Sequence, residues 1–180
     1  MKKLILSLSL VAAAFVSHAQ EARPGEGKIF AGGTVGFSKV EDATTFSFSP
    51  SLGYFISDKI AVGGRLSFQT ISDDGGSSFG IGGFGRYYMS FSDDNKFYGF
   101  GEAALGFAST KPPGEGAESY SSFGLGVAPG FGFYPGKQFA VEFTLPSVLS
   151  FGSSNEVSSF QLGGSTLAQP AALSVLFFIK

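Results

Sequence analysis

Residues Phe97–Phe107 read "FYGFGEAALGF", with Glu102 as the one ionised group among Phe, Tyr, Gly, Ala and Leu. Gly99, Gly101 and Gly106 argue against a helix, and the apolar residues do not recur at helical spacing. Buried on both faces, the segment would carry an unpaired carboxylate into a core, at a cost that only a partner offsets. Read with period two, it separates into unlike faces. Phe97, Ala103, Leu105 and Phe107 share one parity, and Tyr98, Phe100, Glu102, Ala104 and Gly106 share the other. What each face meets decides the fold.

The same alternation recurs along the chain. It predicts eight strands, at Lys28–Ser38, Thr44–Ile56, Ile60–Thr70, Phe79–Met89, Phe97–Phe107, Ser121–Tyr134, Gln138–Phe151 and roughly Pro170–Lys180. In nearly all of them the large apolar residues take one parity, and Gly, Ser, Ala and Thr dominate the other. Leu52, Tyr54 and Ile56 stand against Ser51 and Gly53, and Phe123, Leu125 and Val127 against Gly124 and Gly126. Tight turns at 57–59 and 135–137 and a short polar one at 90–96 alternate with connections at 39–43, 71–78, 109–120 and 152–169. Short turns at one end and longer loops at the other describe an up-and-down barrel. Pro50, Pro129 and Pro146 fall inside expected strands, where bulges or strand ends are expected because Pro cannot donate to the ladder.

The charges say which face is outside. Arg65, Arg86, Glu102 and Glu142 lie well inside the expected strands, all on the small-residue parity. A soluble barrel would need many charges on its outer face, and neither face here supplies them. An Arg or Lys on a lipid face near mid-bilayer would cost about 2–4 kcal/mol. The Phe/Leu/Val face therefore suits lipid, and the small-residue face suits a narrow lumen. The fold class that follows is all-β: an eight-stranded antiparallel up-and-down transmembrane β-barrel. Such strands need about 9–11 residues each, which the chain length accommodates. Arg86 and Glu102 sit on neighbouring strands and are expected to pair directly. Arg65 and Glu142 would have to meet across the lumen. On this pairing Glu102→Leu would leave Arg86 alone, at a cost of about 3–5 kcal/mol. An ordinary cross-strand pair on a soluble sheet is the competing reading, and structural neutralisation is preferred over an ion or proton path.

The N-terminus reads as a secretory signal peptide over 1–19. Lys2 and Lys3 precede an apolar run to Val16, and Ser17-His18-Ala19 fits a cleavage site. Residues 20–180 would then form a single barrel domain. The twelve Lys and Arg fall to ten without Lys2 and Lys3, against 14 Asp and Glu. That mild acidity argues against nucleic acid. There is no Cys, and the one His, His18, lies in the expected signal. The commonest general base, nucleophile and metal ligands are therefore missing from the expected mature chain, and no enzyme, cofactor or metal site is expected.

"SPSLGYFISDKIAVGGRLSF" (Ser49–Phe68) resembles the second strand, turn and third strand of small outer-membrane β-barrels of the OmpA/OmpX type. "FGRYYM" followed by "KFYGFGEAALGF" resembles the next hairpin, and "GVAPGFGFYPGKQFAVEFTLPSVLSFG" the one after. The resemblance implies a Gram-negative outer-membrane location, both termini in the periplasm, longer loops outside the cell, and insertion by the barrel-assembly machinery. One departure is the end "LFFIK", because the family's last strand usually closes on an aromatic residue.

The expected function is non-enzymatic: a structural or surface-interaction protein without a wide pore. Its partners would be outer-membrane lipids, lipopolysaccharide and a surface ligand met by loops 71–78, 109–120 and 152–169. The loop acids Glu41, Asp42, Asp73, Asp74, Glu115, Glu118 and Glu156 outnumber Lys39 and Lys111 and offer contacts to divalent cations, though solvated loops are the simpler reading. A narrow porin-like channel for small solutes or ions is the alternative, and a soluble lipocalin-like carrier a further one.

Overall fold

The computed structural model describes residues 25–179 apart from 41–42, 73–75, 93–95, 113, 115, 137, 155–156 and 163–171. The expected signal peptide and most of the loop acids lie outside the described residues.

All the regular structure described is β. The strands are β1 Ile29–Val40, β2 Ala43–Phe55, β3 Ile60–Ile71, β4 Ser77–Ser90, β5 Phe97–Lys111, β6 Tyr120–Gly136, β7 Phe139–Thr144, β8 Leu149–Ser154, β9 Val157–Leu162 and β10 Ala172–Ile179. Neighbours from β1 to β6 pair antiparallel in sequence order, and β7 and β8 together continue the ring along β6. β10 then pairs with β7 on one side and β1 on the other. The result is a closed antiparallel barrel of eight staves, the seventh made of β7 plus β8.

The structure differs from the expected strands in two places. The seventh stave is interrupted over 145–148, where Pro146 stands. Leu145 N donates to Pro129 O and Val148 N to Val127 O, at 2.9 and 2.8 Å, so the ladder steps past Pro146 and Ser147. Pro50, by contrast, makes no bulge. The register is the same at Phe48↔Phe68 and Ser51↔Arg65, and only the pairing of Ser49 and Pro50 with β3 drops out, while Gly33↔Pro50 holds on the β1 side. The second difference is β9, which lies in the segment expected as a loop over 152–169. It pairs with β8 as a hairpin, matching Phe151↔Phe160 and Leu149↔Leu162. Its Ser-rich sequence has little strand preference of its own, and pairing with β8 supplies what propensity does not.

Side chains alternate as the period-two pattern requires. Leu52, Val62, Ile81, Leu105, Leu125 and Leu173 point outward and are exposed around the waist. Aromatic residues flank them toward both ends, with Tyr54, Tyr87 and Phe97 at the short-turn end and Phe37, Phe79 and Phe107 at the long-loop end. The interior has two unlike halves. At the short-turn end Phe30, Phe55, Phe84, Tyr88, Tyr98, Phe100, Tyr134 and Leu176 form one buried cluster. Phe30 and Phe55 meet edge to face at 5.7 Å, and Tyr98 stacks on Tyr134 at 4.6 Å. Glycines opposite make room for these rings. A Cβ at Gly53 would run into the ring of Phe30, and one at Gly130 into that of Phe100. Toward the long-loop end the inward residues are small, and they line an open chamber of about 850 Å³.

Candidate functional site

The boundary between plug and chamber is where the four charged residues of the strands lie. Arg86 on β4 stands directly opposite Glu102 on β5 in the register. Its Nε donates to Glu102 Oε2 at 2.6 Å, and its Nη1 reaches across the lumen to Glu142 Oε2 on β7, also at 2.6 Å. Arg65 on β3 lies against Gly82, whose missing side chain leaves a path over β4, and its Nη2 donates to both oxygens of Glu102 at 3.0 and 2.8 Å. The order is Arg65–Glu102–Arg86–Glu142, two cations alternating with two anions.

The far end of this chain is closed by tyrosines. Tyr98 donates its hydroxyl to Glu142 Oε1 at 2.9 Å, and Tyr88 donates to the same oxygen at 3.4 Å. Glu142 is wholly buried and Arg86 nearly so, yet no buried side-chain polar atom among the described residues lacks a partner. Arg86 is further held between the rings of Phe84 and Phe100, each with its centroid 4.9 Å from the guanidinium carbon. Cations over aromatic faces gain electrostatic attraction when water is excluded. Burial of this kind is tolerated because every charge has an opposite partner and its remaining donors or acceptors are used.

The structure therefore brings all four sequence-derived residues together and forms the expected Arg86–Glu102 pair, but not the expected meeting of Arg65 with Glu142. Arg65 and Glu142 do not meet; Glu102 takes two arginines and Arg86 takes two carboxylates. Removing Glu102 would thus orphan Arg65, not Arg86. Parity already places Tyr98 and Phe100 on the side of Glu102, but with Gly, Ser, Ala and Thr dominating that face it does not foretell that the inward aromatic residues gather into one plug. The signal was present in position: Phe30, Phe55, Tyr88, Tyr98, Phe100 and Tyr134 all lie at the short-turn ends of their strands, on the parity of Glu102.

As chemistry, the cluster offers no activated nucleophile. Each carboxylate is committed to an arginine, and the chamber above it is lined by serines without a nearby base among the described residues.

No protein-family model matches the chain, and no curated protein sequence does. Solved structures do. The chain is similar to the crystal structure of the N-terminal β-barrel domain of OprF from Pseudomonas aeruginosa, at 14% identity and a TM-score of 0.54, over 87% of this chain and 100% of that one. It is also matched by the outer membrane protein Ail of Yersinia pestis, in a phospholipid bilayer nanodisc, at 11% identity and a TM-score of 0.46, over 86% of this chain and 100% of that one. At such identity the OprF likeness establishes the fold, a small closed eight-stranded barrel.

Proposed function

We propose that this chain is an integral outer-membrane β-barrel protein, non-enzymatic, with a structural or surface-interaction role and no wide pore. One observation carries the reading: a closed ring whose waist is apolar outside, while Arg65, Arg86, Glu102 and Glu142 all turn inward. A barrel in water would place its charges on the outer face and its large apolar side chains within. Here lipid hydrocarbon would meet the Leu, Val and Ile of the waist, and the aromatic residues at either end would sit at the interfaces. Lipopolysaccharide and a surface ligand remain the partners proposed for loops 71–78, 109–120 and 152–169, with the barrel-assembly machinery acting during insertion. The likeness to the OprF barrel supports the fold beneath this proposal.

The test is Leu105→Arg at the exposed waist. In lipid vesicles it is expected to cost about 2–4 kcal/mol of unfolding free energy. On a water-facing surface the same change would stay within about 0.5 kcal/mol. A near-neutral result, or a wild-type protein that stays monodisperse without detergent, would overturn the membrane reading in favour of a soluble carrier.

The hollow half of the lumen favours a second reading, a narrow channel for small solutes or ions. The aromatic plug and the Arg86–Glu142 bridge stand against it, since together they occupy the lumen at the short-turn end. Planar-bilayer recordings of the refolded protein are expected to show no steady conductance. A steady current through wild type would establish the channel instead.

A further inference from the structure

Among the described residues, the chamber at the long-loop end presents only one sign of accessible charge. Arg65 and Glu102 are the charged residues among those lining it. Glu102 is 4% exposed, and both its oxygens are taken up by Arg65 and Arg86. The Arg65 side chain is 30% exposed and engages Glu102 through Nη2 alone. Its Nε and Nη1 donate to no described residue. The charges beneath are balanced, two arginines against two glutamates, but both carboxylates are buried and only a guanidinium reaches the hollow. The ring of Phe84, 5.1 Å from the Arg65 guanidinium carbon, supports the cation from one face and leaves its free donors toward the chamber. Ser67 on the same strand and Ser49 on β2 add hydroxyls to the same wall.

We infer that the chamber is a binding site for a small oxyanion, a phosphate or carboxylate group seated on Arg65. A guanidinium carries five donors in a planar fork that matches the paired oxygens of such groups. Serine hydroxyls donate to the oxygens that the fork does not reach. The volume of about 850 Å³ admits an organic remainder behind the anionic group. Acidic residues in the loops repel anions at long range, and at physiological salt this is damped beyond about 8 Å. The inference rests on the lumen geometry and not on the membrane location proposed above.

The experiment uses the full barrel refolded in detergent, with inorganic phosphate and succinate titrated separately at constant ionic strength. Phosphorus NMR line width reads the first and saturation-transfer NMR the second. Saturable binding of at least one is expected; phosphate alone marks a phosphate ligand, and succinate alone a carboxylate. Arg65→Gln is expected to weaken that binding by about tenfold or more, since it removes both the charge and the fork. Gly124→Phe provides a second arm that leaves Arg65 in place. Among the described residues a Cβ at Gly124 meets only the Phe151 carbonyl oxygen, at 4.0 Å, so the ring can enter the chamber at the level of Arg65 and narrow it there. Anion binding should weaken severalfold in this variant while its urea unfolding midpoint shows that the barrel still folds. If Arg65→Gln fails to refold, Gly124→Phe decides alone. No saturable binding in wild type, or unchanged binding in the folded variants, would mean surface binding at most and would overturn the site.

Discussion

Arg86→Met is expected to lower the unfolding free energy of the refolded barrel by about 3–5 kcal/mol. Arg86 is the only cation that reaches Glu142 among the described residues, and Glu142 is 0% exposed. Without the guanidinium, that carboxylate keeps only the hydroxyls of Tyr98 and Tyr88. Hydroxyl donors do not offset the desolvation of a full charge. Glu102 fares better, because Arg65 still holds both of its oxygens. Adding Glu142→Gln to Arg86→Met should therefore restore part of the loss, since the remaining Arg65–Glu102 pair is neutral. Glu102→Leu alone should cost less, about 1–2 kcal/mol. It leaves Arg86 paired with Glu142, and the orphaned Arg65 can take water from the chamber. Urea unfolding midpoints at unchanged m-value measure all of these. Equal losses for Arg86→Met and Glu102→Leu would contradict the connectivity described above.

Phe30→Ala is the second large effect, expected at about 3–5 kcal/mol. The ring is fully buried and packs against Phe55, Phe84 and Phe178, with centroids 5.7, 6.3 and 6.3 Å away. Its loss opens a cavity that the strands cannot close, because barrel pairing fixes their spacing. Gly53 supplies an internal check. A side chain there collides with Phe30 in wild type but would enter the space vacated in Phe30→Ala. Gly53→Val should therefore destabilise wild type and spare or improve the Phe30→Ala barrel. Additive losses in the double variant would show that the two positions do not share that space.

Much of this molecule is legible one strand at a time. Period-two alternation sorts Leu105 from Glu102 and Phe123 from Gly124, and the structure keeps each on the side its parity assigns. The Pro146 interruption is legible only in part: Pro50 and Pro129 lack an N–H too, yet β2 and β6 run through them in unbroken register. The β8–β9 hairpin is not legible. "FGSSNEVSSFQL" is weak as strand sequence, and its pairing depends on β6 standing beside β8.

The interior separates the two levels further. The sequence by itself determines that Arg65, Arg86, Glu102 and Glu142 face one way, because strand geometry alone sets the direction of a side chain. It also places Arg86 beside Glu102, because a short connection sets the register of a hairpin. Only the tertiary structure decides that Arg86 spans the lumen to Glu142, and that Arg65 passes over Gly82 to a glutamate two strands away. Those contacts depend on the curvature and stagger of the closed ring, quantities that no single strand contains. The same closure gathers the aromatic side chains from the short-turn ends of several strands into one plug and leaves the opposite half hollow above Arg65.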